Sequence, residues 1–67
     1  MNRSSDGWYR VTCLRYTCGI TVGSERIIDA APILRKYVGL PITEAVLRMR
    51  EADSDVRIIR KGDLEEL

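Results

Sequence analysis

The 67-residue sequence has no histidine, two cysteines, one tryptophan and almost no net charge, and each scarcity excludes something. Without histidine the usual general base at neutral pH is missing, and a cysteine nucleophile would have no partner to activate it. No paired carboxylates fall on one face of a predicted element. Cys13 and Cys18 fit neither a Cys-x-x-Cys redox motif nor a zinc spacing, and no second ligand cluster exists. The sequence therefore predicts no catalytic residue, no metal and no cofactor. No run of about 18 apolar residues is present to span a bilayer, and residues 1 to 6 lead into no apolar signal-peptide core. A cytoplasmic protein without membrane contact is expected.

What is present suits a small folded domain, with 45 % hydrophobic and 31 % charged residues. At this length burial and conformational entropy nearly cancel, at roughly 1.5 kcal/mol of ordering cost per residue, so self-association would help. A homodimer or larger homo-oligomer is expected. The net charge of +1 is unevenly spread: residues 1 to 62 carry eleven bases against seven acids, and Asp63, Glu65 and Glu66 close the chain. Nine of the eleven bases are arginine, whose planar fork suits carboxylate, phosphate or aromatic partners.

The chain is organised around residues 27 to 41, where a strand pattern gives way to a helical one. Ile27-Ile28-Asp29-Ala30-Ala31 runs into Pro32, which favours a first helical position because its missing N–H would be unpaired there. Gly39 suits a left-handed helix end, and Pro41 blocks continuation. A helix is predicted over 32–38, with Ile33, Leu34, Tyr37 and Val38 on its buried side. A second is predicted from 41 or 42 to 52, with Ile42, Ala45, Val46 and Met49 at i, i+3, i+4 and i+7. Glu44 and Arg48 can pair across one turn, and Leu47 falls off the stripe as ordinary surface.

Strands are predicted over 8–14, 17–22, 26–30 and 56–61. Pairing the first two around Arg15-Tyr16 sets Cys13 opposite Cys18, Val11 opposite Ile20 and Tyr9 opposite Val22, leaving one face wholly apolar. The two cysteines then read as reduced, buried small hydrophobes, with a cross-strand disulfide as the alternative. Arg-Tyr is poor two-residue turn chemistry, which favours a four-residue loop. On the other face Trp8 would lie across Gly23 and cover its bare backbone. The third strand has two registers: a three-residue loop turns Ile28 and Ala30 inward, a two-residue turn Ile27. Residues 1–7 are expected to be disordered, 8–61 to form one α+β domain in the order β-β-β-α-α-β, and 62–67 to be an acidic tail.

Two short helices cover one sheet face and leave the other open. The alternation puts Trp8, Arg10, Leu14, Arg57, Ile59 and Lys61 on that open face as candidate partner-binding residues, a mixture richer in apolar surface than solubility needs.

Tyr9-Arg10-Val11-Thr12, Tyr16, Cys18-Gly19-Ile20, Ile28-Asp29-Ala30-Ala31-Pro32-Ile33-Leu34 and Val38-Gly39 together resemble a group of small uncharacterised proteins of phage and prophage genomes. The resemblance spans roughly residues 8 to 60 and carries no activity or catalytic residue with it. It implies a setting in which very small proteins bind and block host components, including defence systems. The leading expectation is thus a non-enzymatic module that binds a host or phage protein, such as an anti-CRISPR-like or other anti-defence inhibitor. A nucleic-acid binder could instead stack bases on Trp8 and Tyr16 and hold phosphate with Arg10, Arg57 and Lys61. The near-zero net charge and the acidic tail oppose it. An oligomeric sponge for a nucleotide-like signal, with arginine-lined pockets between subunits, is the third.

Overall fold

The structure, a computed structural model, describes residues 6–60 and 65–66. It is an α+β fold. The strands are β1 (Gly7–Thr12), β2 (Thr17–Gly23), β3 (Arg26–Ala30), β4 (Arg57–Arg60) and β5 (Glu65–Glu66). Between β3 and β4 come a 3-10 helix (Pro32–Tyr37) and the α-helix α1 (Ile42–Ala52). The sheet order is β3-β2-β1-β4-β5, with every neighbouring pair antiparallel. Two expected boundaries move: Gly7 already belongs to β1, and Glu65–Glu66 pairs with Ile59 and Arg60 where a loose tail was expected. Lys61 lies outside the described residues.

One side of the sheet is packed by the two helices. Tyr9 and Val11 from β1, Ile20 and Val22 from β2, Ile27 from β3 and Ile58 from β4 meet Leu34, Tyr37, Ile42, Ala45, Val46 and Met49 in a single core. The first hairpin keeps the predicted faces but is paired two residues away from the predicted register. Tyr9 faces Ile20, Val11 faces Cys18, and Thr12 closes the pair against Thr17. A one-residue slip would turn these side chains out of the core at about 1.5–3 kcal/mol each, whereas a two-residue slip leaves every side chain on its own face. The apolar pattern therefore fixes the face, and the turn chooses among the even registers. Here residues 13–16 form a four-residue loop in which the Cys13 N–H donates to the Tyr16 carbonyl at 2.9 Å. Cys13 sits in this loop and does not face Cys18; both thiols are free and half-buried.

The ambiguity of the third strand is resolved by a β-bulge. Ser24 and Glu25 form a two-residue turn with φ of +52° and +62°, the positive values that tight hairpins of this hand need. Non-glycine residues resist that conformation, and the neighbourhood holds it: the Glu25 N–H donates to Asp6 Oδ1 at 3.2 Å, and its carbonyl accepts from the Ile42 N–H at 2.9 Å. The turn directs Ile27 inward, opposite Val22. The register then shifts between Thr21 and Val22, so that Ala30 also points inward, opposite Ile20, and Ile28 is left outside.

The segment after β3 is wound more tightly than an α-helix. The Leu34 N–H donates to the Ala31 carbonyl at 2.9 Å and the Val38 N–H to the Arg35 carbonyl at 3.0 Å. With three residues per turn only i and i+3 share a side, so Leu34 and Tyr37 are buried while Ile33 and Val38 are exposed. The predicted α-helical stripe of four buried residues is thus halved. Gly39, at φ +96°, then brings the chain back along the outer edge of β3, where its N–H donates to the Ile27 carbonyl at 2.7 Å. Helix α1 follows its apolar pattern, burying Ile42, Ala45, Val46 and Met49, and Arg48 Nε donates to Glu44 Oε2 at 2.9 Å.

Candidate functional site

The alternation that buries Tyr9 and Val11 sends Trp8, Arg10 and Thr12 to the side of the sheet that no helix covers. The pairing sets them in three rows across the strands. Trp8 stands beside Thr21, which stands beside Asp29; Arg10 lies between Gly19 and Ile59; and Thr12 lies between Thr17 and Arg57. Of the six expected partner-binding residues, Trp8, Arg10, Arg57 and Ile59 are therefore brought together on one face. Leu14 is not: β1 ends at Thr12, and Leu14 projects from the hairpin loop at 93 % exposure, its N–H donating to Asp55 Oδ2 at 2.6 Å. Lys61 is outside the described residues.

Trp8 lies over Gly19, not over Gly23 as the predicted register implied. A methyl group placed on Gly19 would sit 2.4 Å from Cζ2 of the indole, so the ring occupies the space that a side chain there would need. Ile28, released by the bulge, covers Gly23 in the same way, its Cδ1 at 3.0 Å from a methyl placed there. Two large apolar side chains thus lie down on bare backbone. The result is a low, nearly level face, 38 % of Trp8 still exposed at its centre, dotted with threonines and edged by ions.

Ile28, Asp29 and the three threonines extend the face beyond the predicted set. A signal for the first two was in the sequence: Ile27 and Ala30, both apolar, cannot point the same way in a regular strand three residues apart, so one residue between them has to bulge outward. Arg10 and Asp29 carry opposite charge on this face, and among the described residues neither side chain has a hydrogen-bond or ion-pair partner.

The opposite end of the hairpin is built as a lock. Arg15 Nε and Nη2 clasp Asp53 Oδ1 and Oδ2 at 3.0 and 2.7 Å, tying the β1–β2 loop to the end of α1. That clasp holds the Asp53 carboxyl below its ordinary range, helped by nearby Lys36 and opposed by partial burial. Burial pushes the Tyr16 hydroxyl up, with the Cys13 thiol adding to it, and raises Cys18 likewise. Arg15 also lies 5.9 Å over the Tyr16 ring and Lys36 5.5 Å over that of Tyr37. The cleft between these groups encloses only about 110 Å³, and its arginine is already satisfied. A second, shallow groove of about 360 Å³ runs between the Ser24-Glu25 turn and the start of α1. Among the described residues no group of three or more histidine, cysteine or acidic side chains is placed to hold a metal ion, and no helix is long and apolar enough to cross a membrane.

No protein-family model, no curated protein and no solved structure matches the chain. The chemistry of the open face is what any functional reading has to stand on.

Proposed function

We propose that this chain is a small, non-enzymatic protein-binding module and that the uncovered sheet face is its recognition surface. One observation carries this. The core is closed on the inner face by residues such as Tyr9, Val11, Ile20 and Ile58, each 1 % exposed or less, and it takes nothing from Trp8. A tryptophan outside that core, held level over Gly19 beside Arg10 and Ile59, has the composition of an interface centre. The resemblance to phage proteins adds a direction: a component of a host defence system, met in the host cytoplasm, is the first partner to test.

Base stacking on Trp8 with Arg10 and Arg57 on phosphate is the competing use of the same face. Asp29 in the Trp8 row, and a sheet that ends in a strand of two glutamates, weigh against a polyanion. The test is capture from host lysate by the tagged wild-type chain and by the double variant Trp8→Ala/Arg10→Glu. Protein binding predicts a partner that survives nuclease and disappears with the double variant. Loss of all captured material on nuclease treatment, or equal capture by the folded double variant, overturns the proposal.

A further inference from the structure

We infer that the open face is self-complementary and closes on a second copy of this chain, with Arg10 of each copy paired to Asp29 of the other across a two-fold axis beside Trp8. Arg10 and Asp29 are both exposed and stand on the same face, two strands and one row apart. Strand spacing puts their backbones about 12 Å apart, and no ion pair joins them within the chain. Two opposite charges left apart in one copy meet twice in a two-fold pair, because an isologous interface brings residue i to j and j to i. The axis that does this lies between the two sheets, parallel to them, and passes over the midpoint between the two residues, near Gly19 and Thr21; Trp8 is the neighbour of both. The two indoles then pack at the centre, where burial is worth most, and the ion pairs ring them.

The shape of the face permits it. Trp8 over Gly19 and Ile28 over Gly23 leave no tall side chain at the middle to hold two sheets apart, and facing sheets need only about 10 Å between them. A second copy and an unlike partner would compete for this face, so the partner-binding form would be the monomer. The dimer itself stands on Arg10, Asp29 and Trp8 and can be tested with no partner present.

Sedimentation of the full chain at about 100 μM, far above a micromolar dissociation constant, should give the mass of two chains. Arg10→Asp and Asp29→Arg should each sediment as monomers, with dimerisation weakened at least about a thousandfold by like charges facing each other at both ends of the interface. Mixing the two variants in equal amounts should restore the two-chain mass, because each then offers the charge that the other needs. The double variant Arg10→Asp/Asp29→Arg should dimerise alone. Both positions are exposed, and circular dichroism confirms that the variants are folded. A wild-type chain that stays monomeric, single variants that still dimerise, or a mixture that stays monomeric overturns the inference.

Discussion

The two faces of one sheet are written by the same strands, alternate residue by alternate residue, yet they differ in what they can tolerate. On the inner face Tyr9, Val11, Ile20, Val22, Ile27 and Ile58 are all 2 % exposed or less and share one core with both helices. On the outer face Trp8 and Ile28 lie on glycines, and Arg10 and Asp29 are exposed. The inner face answers to packing, in which a single misplaced group is felt throughout. The outer face is constrained only at the glycines beneath its large side chains and is otherwise open to change. Stability and recognition are thus separated by the period of a β-strand, and substitutions can address one without the other.

The largest effect should come from breaking the inner face. Val11→Asp buries a carboxylate with no partner beside Ile58 and Cys18, and the loss, more than about 4 kcal/mol, exceeds what a domain of this size can spare. Circular dichroism should show an unfolded chain at neutral pH. Gly19→Ala should cost less, about 1–3 kcal/mol, because the new methyl at 2.4 Å from the indole must push Trp8 off the sheet. Denaturant midpoints check this, and the contrast sharpens if Trp8→Ala, which clears the site, makes the glycine replaceable with little further loss.

A smaller effect lies at the hairpin lock, which belongs to neither face. The Asp53 carboxyl titrates below its ordinary value of 3.8 in the folded chain because Arg15 holds it. Its contribution to stability is therefore present above that ordinary value and is lost as the pH falls through the lowered one. Asp53→Asn should lower the thermal midpoint slightly at neutral pH and by progressively less in strong acid, where the wild-type carboxyl is itself protonated. Thermal melts of both chains between neutral and strongly acidic pH measure the difference. In chains diluted well below a micromolar dissociation constant, so that both are monomers, Arg10→Glu should leave the stability within about 0.5 kcal/mol of wild type, as exposed substitutions do.

Most of the inner face was legible in the sequence. Period-two alternation in 8–22 named the core side of the first hairpin, and the i, i+3, i+4, i+7 stripe named the buried side of α1, because both periods are imposed by backbone geometry. What alternation cannot encode is the pairing among registers that differ by two, so the sequence points to Gly23 beneath Trp8 whereas the ring lies over Gly19. The first helix reads as α in the sequence because Leu34 and Tyr37 satisfy 3-10 and α spacing alike, and only the exposure of Ile33 and Val38 tells the two apart. Four members of the outer face were found because they share strands with the core pattern. Asp29 escapes regular alternation because its strand has a bulge, and Leu14 falls on the face only if β1 runs two residues past its end at Thr12.

The division of labour between the faces is tested most directly by amide-resolved NMR of the uniformly labelled chain, diluted from about 1 mM to about 10 μM, a range over which mass action measurably shifts the monomer–dimer balance of a micromolar complex. Concentration-dependent shifts should gather on the Trp8 indole and on Arg10, Gly19, Thr21, Asp29 and Ile59, with the helical side unmoved. Shifts gathered on Ile33, Val38 and Leu47, with the sheet face unmoved, would contradict it and place the interaction surface on the helices.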